Sequence, residues 1–528
     1  MRPYVDCGVK LGRSAKREPL VPYGKAELLR EMERCAVHAA LVENMVSENY
    51  GYARGNAELE EICADEPRLF HLAACPPTFR WETREAEGYL AARFDAGARG
   101  AFVKPTIQNF DFDSFSIEPV AGACVKRGLP MLVCGEAEIF AGLREILADY
   151  PELDVVLLYS HWSLLRRLFP MLERFPNLTV DLGGTQSNDI VDVIAKNFGA
   201  RRMVYSSGYP TRCMAGIKPL VEYSGLCETE KDLVAYKNAC RLFNIDEHIL
   251  TPYRAGIADE LEAAMLEGRP LSKWNIIDIH AHVVDARDHS ANTMMFNADA
   301  DSIAKKTDKL GIGRVAFSSW EGLYGGGARA NETVRAALKK YPDRFIGYAT
   351  ANPRYGGDIE DAIERHETDG FLGLKPYPQT QGLKFTDERY RPWYEYGNKR
   401  KLFMLVHSGD QITADQINEI APLYPDLIFL MAHSGISWET ARINLALAKK
   451  HENVMLELTF TAMTRGTVEF FTNEIGSERV FFGTDLPMRD PGPQLAWVVF
   501  AEIPYEDKLN ILYKNAERIL DRIIPAGN

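Results

Sequence analysis

Two tandem (β/α)8 barrels are the fold this sequence predicts, on three observations. The chain is one pattern written twice. Each copy runs to ~250 residues, the length of one such barrel. Within each copy, short apolar runs alternate with amphipathic ones, as strands alternate with helices. An open doubly wound sheet is the competing fold, and it is disfavoured because no glycine-rich phosphate loop follows the first strand.

The elements justify the reading in order. Val5-Asp6-Cys7-Gly8-Val9-Lys10 matches Ile277-Asp278-Ile279-His280-Ala281-His282, the first strand of each copy. Arg54 and Asn56, with a helical run to Pro67, match Arg329 and Asn331 with a run to Pro342. Each Asn is expected at a helix N-cap, followed by apolar residues at helical spacing. Val103-Lys104-Pro105 matches Leu374-Lys375-Pro376, and Met131 to Cys134 matches Met404 to His407. The run to Tyr159 matches the run to His433, Val204 to Pro210 matches Phe481 to Pro487, and Lys237 to Arg241 matches Lys514 to Arg518. The offset drifts only from about 271 to 277, so the duplication is ordered as well as repeated. In the second copy the pattern predicts strands near 313–318, 345–350, 371–375 and 402–406, with helices over 331–341, 358–368 and 388–400. The division is therefore 1–250, a linker 251–273 with a helix from Ala258 to Leu266, and 274–528.

Composition bounds the function. A length of 528 residues exceeds one ordinary core. A net charge of −13 argues against a nucleic-acid partner and against an anionic membrane surface. No apolar run approaches the ~18 residues of a bilayer span, and the N-terminus lacks a signal-peptide core. A soluble, cytoplasmic protein with a small-molecule substrate is expected. All nine cysteines lie at or before Cys240, and seven of eleven histidines lie in the second half, so the copies have diverged in chemistry.

In a barrel, functional side chains collect at the C-terminal ends of the strands. In the second copy those ends carry His280 and His282 (strand 1), Lys375 (strand 4), His407 (strand 5), His433 (strand 6) and Asp485 (strand 8). His280 and His282 share one strand face because side chains alternate. Four histidines and a carboxylate at one rim form a ligand set for a divalent cation with an open position.

With the strand-1 HxH after Asp278, the strand-5 VHSG, the strand-6 AHSG and the strand-8 FGTDLP, the second copy resembles the amidohydrolase superfamily. Within it the likeness is to the amidohydrolase-related family of metal-dependent barrel hydrolases and decarboxylases. The likeness spans 274–525, and the first copy resembles the same fold over 2–248. It implies that His280, His282 and His407 ligate the metal; the histidine-rich donor set suits zinc, with manganese the second choice. Asp485 ligates it or serves as acid and base, and His433 acts on the substrate. The implied reaction is hydrolysis of an ester, lactone or amide of a small, carboxylated metabolite by metal-activated water. The alternative is non-oxidative decarboxylation of an aromatic or unsaturated acid. A non-catalytic metal-binding or regulatory scaffold is the third reading, and the intact ligand set argues against it.

Other residues are assigned around that centre. Some superfamily members carry a carboxylated lysine at the end of strand 4 that bridges two metals. Lys104 keeps the same Lys-Pro pair in the copy without ligands, so Lys375 is expected to face substrate beside a single metal. Arg354, Arg465 and Arg489 are candidate carboxylate clamps, since guanidinium pairs well with carboxylate. Tyr324 and Tyr377 are expected at the rim. In the first copy Gly8, Lys10, Cys134, Tyr159 and Gly208 stand where the ligands would be. That barrel is expected to be inactive and to pair with the active one as an intramolecular pseudo-dimer, with further homo-oligomerisation open.

Overall fold

The computed structural model describes residues 1–16, 18–75, 86–250, 256–460 and 462–526. The chain divides into two compact units, Met1–Gly268 and Arg269–Asn528.

In the second unit eight parallel strands follow one another in sheet order: β10 (Ile276–Val283), β11 (Ile312–Ser319), β12 (Phe345–Ala349), β13 (Gly373–Leu374), β14 (Phe403–Val406), β15 (Ile428–Met431), β16 (Val454–Leu458) and β17 (Val480–Phe482). The sheet closes on itself through the turn after β17. There His282 N donates to Leu486 O (2.6 Å) and Asp485 N to His280 O (2.7 Å), with a parallel bridge between Ala281 and Leu486. Nearly every strand residue is buried, as expected where helices cover the outside and side chains fill the inside, which is why the strands read as continuous apolar runs.

The first unit repeats the pattern with β1 (Val5–Leu11), β2 (Ala39–Asn44), β3 (Leu69–His71), β4 (Ala73–Ala74), β5 (Ala101–Val103), β6 (Met131–Cys134), β7 (Val155–Leu158), β8 (Leu178–Asp181) and β9 (Met203–Val204). β3 and β4 are one strand position interrupted at Leu72. Leu72 N bonds Val42 O on one side (2.9 Å), and Ala73 N bonds Gly100 O on the other (2.9 Å). Cys7 N to Tyr205 O (3.0 Å) and Lys10 N to Tyr209 O (2.8 Å) close this barrel at the place where the second unit closes.

Three expectations change. Asn56 and Asn331 are not caps. Each lies inside its helix (Tyr52–Cys63 and Gly327–Lys340), buried, with its amide clamped to the backbone of a neighbouring strand end. Asn56 Oδ1 accepts from Ala74 N (2.9 Å), and Asn331 Oδ1 accepts from Thr350 N (2.8 Å). A buried amide that satisfies a strand's last N–H serves a tertiary role that helix periodicity does not reveal. The strand expected over 371–375 shortens to Gly373–Leu374. The helix placed in the linker, Glu260–Leu266, is capped by Asp259 and belongs to the first unit, where Glu262 pairs with Arg34. Residues 251–255 of that linker lie outside the described residues. No helix among the described residues is long and apolar enough to cross a membrane.

Candidate metal centre

The centre is built on β10, whose alternation sends Asp278, His280 and His282 to one face. Asp278 is fully buried. Its Oδ1 accepts from His280 N (3.0 Å) and from Thr484 N (3.1 Å), and its Oδ2 accepts from the Thr484 hydroxyl. One carboxyl thus ties the first strand to the turn after the last. Burial pushes it up to about 7, despite the hydrogen bonds that favour its charged form. The turn delivers Asp485 in the left-handed region (φ 61°), an uncommon place for a non-glycine residue.

Asp485 Oδ1 stands 3.2 Å from His282 Nε2 and 3.7 Å from His280 Nε2. The three donor atoms lie within 4.8 Å of one another and all three residues are buried. Burial works to raise the Asp485 carboxyl, but Arg489 and the two imidazoles outweigh it and hold it well below the usual carboxylate range. Burial holds His280 well below 6.5 and also lowers His282, so both imidazoles are neutral at pH 7, the form that binds metal. Their far nitrogens are engaged. His280 Nδ1 lies 3.1 Å from Glu457 Oε2, and His282 Nδ1 lies 3.2 Å from Ser318 Oγ, which in turn lies 2.9 Å from Tyr377 OH. Two neutral imidazoles with Nε2 aimed at a carboxylate, each braced behind, fit a divalent transition metal.

His407 is not in that group of three. Its Nδ1 faces His433 Nε2 at 3.3 Å, and it is exposed at the rim. His433 is buried in the left-handed region (φ 60°), and its Nδ1 lies 3.1 Å from Thr459 O, which fixes that nitrogen as the donor. Its ring stands 5.1 Å from that of His280. Lys375 is 1 % exposed, and its Nζ has no hydrogen-bond partner among the described residues. Burial lowers it to about 8, and its charge is felt by all four imidazoles. Arg489 is buried against Asp485 Oδ2 (3.1 Å) and over the Phe460 ring (4.5 Å).

Three assignments move. Tyr377 is no rim residue: it is 2 % exposed, locked on Ser318 beneath Lys375. Arg354 spends its guanidinium on Gln381 O (2.8 Å) and Gly382 O (2.9 Å), bracing the loop after β13 instead of facing the donors. Arg465 pairs with Glu502 (2.8 Å). Tyr324 does lie at the surface, 58 % exposed, bonded to Asn292.

Glu457, on β16, was missed by sequence reasoning. It is fully buried; its Oε2 meets both His280 Nδ1 and His433 N (3.3 Å), and its Oε1 accepts from the Thr459 hydroxyl. Burial pushes it up to about 8. The available signal was a single acid inside an apolar strand, aligned with Asp181 in the first copy.

The first unit replaces this chemistry. Tyr159 takes the position of His433 and donates its hydroxyl to Gly8 O (3.0 Å), at the position of His280. Lys10 and Lys104 face Glu43 and Glu48 in a four-charge cluster, with Lys104 Nζ 2.6 Å from each carboxylate. Lys104 and Lys375 are therefore not equivalent: one pairs with two carboxylates and the other has no hydrogen-bond partner among the described residues. Among the described residues, the single group of three donors is the one in the second unit.

Comparison with known proteins agrees with the two-copy reading. No curated protein matches the chain. Among solved structures, it is similar to a 5-carboxyvanillate decarboxylase from Novosphingobium aromaticivorans complexed with manganese and 4-hydroxy-3-methoxy-5-nitrobenzoic acid. The identity is 14 %, the TM-score 0.39, and the match covers 48 % of this chain and 97 % of that one. It is also similar to a 2,6-dihydroxybenzoate decarboxylase from Rhizobium, at 16 % identity and a TM-score of 0.37, over 47 % of this chain and 99 % of that one. The Amidohydrolase family model matches twice, over residues 24–245 and 277–522. With both halves of the chain matched in this way, the protein belongs to the Amidohydrolase family.

Proposed function

We propose that the second barrel is a metal-dependent enzyme that acts on a small carboxylated substrate, and that it removes the carboxyl group as carbon dioxide. His280, His282 and Asp485 would hold one divalent ion. The resemblance adds His407, but its ring faces His433, so the proposal rests on the other three. When bound, the ion supplies Lewis acidity. The donor set suits zinc and admits manganese.

The observation that carries the reading is Lys375: a buried ammonium over the Tyr377 ring (5.5 Å) with no hydrogen-bond partner among the described residues, whose charge reaches every imidazole of the site. Leaving such a group unpaired is costly, and a substrate carboxylate would pair it. An anion held there has its carboxyl group at the reaction centre, where decarboxylation needs it. A remote specificity pocket would serve hydrolysis better. The bond to the carboxyl carbon breaks, its electron pair stays on the substrate carbon, and a proton taken up from solvent replaces the lost group. Hydrolysis of an ester, lactone or amide is the second reading. It is favoured by Asp485, which stands 3.2 Å from His282 Nε2 where it can take up a proton. The first barrel, with Gly8, Lys10, Cys134, Tyr159 and Gly208 at the corresponding positions, is proposed to do no chemistry.

Elemental analysis of protein purified without chelator is expected to give about one zinc or manganese per chain. Aromatic and unsaturated carboxylates are expected to release carbon dioxide, while lactones and esters persist; the reverse pattern would move the assignment to hydrolysis. Lys375→Met is expected to raise KM for a carboxylated substrate by ~10–100-fold, the value of a hydrogen bond to a charged group, with metal content unchanged. Two metals per chain, falling to one in Lys375→Met, would instead place the lysine among the ligands.

A further inference from the structure

We infer that Glu457 is the positioning residue of His280, and that its length, one methylene beyond aspartate, is what gives the second barrel a metal site. The inference rests on the metal reading above. Both barrels carry a carboxylate at this strand position, so the two can be compared within one chain. In the first unit Asp181 Oδ1 accepts from Tyr159 N (2.9 Å), and in the second Glu457 Oε2 accepts from His433 N (3.3 Å). Tyr159 and His433 have the same left-handed backbone, φ 57° and 60°. Satisfying that buried N–H is therefore a structural task that aspartate and glutamate share.

Reaching His280 is a second task, found only where a histidine stands. Glu457 Oε2 lies 3.1 Å from His280 Nδ1, while the corresponding position in the first unit is Gly8, with no side chain to hold. The residue beneath has changed to match. At Gly483 an added Cβ would stand 2.0 Å from Glu457 Oε1 and 2.8 Å from His280 Cβ. The first unit has Ser206 there, with the shorter Asp181. The pair Glu457 with Gly483 and the pair Asp181 with Ser206 are thus alternative fillings of one space. The longer acid requires the missing side chain, and it gains the imidazole.

Holding Nδ1 through a carboxylate fixes the tautomer that presents Nε2 to Asp485 and stops the ring from turning. Such a partner is typically worth ~10–100-fold in metal affinity. Substitution separates the two tasks. Glu457→Asp reproduces the arrangement of the first barrel: it keeps the bond to His433 N and withdraws from His280. Glu457→Gln keeps an acceptor at both.

The test is calorimetric titration of the full-length, metal-free chain with Zn2+ and with Mn2+, beside thermal melting of the same samples. Glu457→Asp is expected to melt within about 4 °C of the wild type without metal, to bind both ions ~10–100-fold more weakly, and to gain less melting temperature when either is added. Glu457→Gln is expected to bind more tightly than Glu457→Asp. Wild-type affinity in Glu457→Asp, or affinity in Glu457→Gln no tighter than in Glu457→Asp, overturns the inference while leaving the metal site standing. A wild type that takes up neither ion overturns the metal reading and this inference with it.

Discussion

Asp485→Asn is expected to cost the protein both its metal and its turnover, with activity down by ~10²–10⁴-fold, the range for loss of a positioned acid–base group. Three contacts converge on this carboxylate: His282 Nε2 at 3.2 Å, His280 Nε2 at 3.7 Å and Arg489 Nη1 at 3.1 Å. Its charge is the only anionic donor among the three ligands, and it faces a buried arginine. Asparagine keeps the shape and one acceptor for Arg489, so the fold is expected to survive. Alanine would remove the carboxylate that Arg489 faces in the interior, at a cost of ~3–5 kcal/mol, which would confuse loss of function with loss of stability. Metal per chain, activity and far-ultraviolet circular dichroism on the same preparation separate these effects. Retained metal and retained turnover in Asp485→Asn would remove the residue from the site.

The framework of this site was legible in the sequence, because it is carried by short-range pattern. Strand alternation put His280 and His282 on one face, and the Thr-Asp-Leu-Pro turn marked the end of the last strand. What was not legible depends on pairings between elements far apart in the chain. Glu457 looks like one acid in a strand until β16 is laid beside β17 and the barrel closes on β10; only then does it meet His280, 177 residues away. Tyr377 is expected at the rim, and Arg354 as a carboxylate clamp, because both follow strand ends. The first turns inward onto Ser318, and the second turns to its neighbouring loop. His407 is at the expected strand end, but which neighbour its ring faces is a rotamer question that no spacing answers. The lysines show the limit of reading one copy by the other. Lys104 and Lys375 keep the same backbone place, yet Glu43 and Glu48 both pair with Lys104, while Lys375 Nζ has no hydrogen-bond partner among the described residues.

The duplication also yields a paired stability experiment. Asp6→Ala and Asp278→Ala are expected to destabilise their own units by similar amounts, while only Asp278→Ala loses metal. Each aspartate closes a barrel. Asp278 Oδ1 accepts from His280 N and Thr484 N, and Asp6 Oδ1 accepts from Gly8 N (3.1 Å) and Ser207 N (2.9 Å). In both, one oxygen satisfies two buried backbone donors that lie about two hundred residues apart in the chain. Alanine takes the acceptor from Gly8 N and Ser207 N in the first unit, and from His280 N and the Thr484 hydroxyl in the second, where Thr484 N keeps His280 O (3.2 Å). At ~1–3 kcal/mol for each lost partner this is ~2–6 kcal/mol per barrel. A domain of this size has only ~5–15 kcal/mol to lose, so melting of the affected unit is expected to drop by roughly 5–20 °C. Burial pushes the two carboxyls up to about 6 and about 7, so each fold bears the cost of desolvating an acid. Because a cost of the same kind is borne in the first barrel, which holds no group of three donors among its described residues, it is not a cost of catalysis alone. Asp278 must therefore be kept first for closure, and it becomes part of the metal centre only because the strand it closes carries His280. If Asp6→Ala leaves the first unit's melting unchanged while Asp278→Ala lowers that of the second, the shared closure role is wrong, and Asp278 belongs to the chemistry alone.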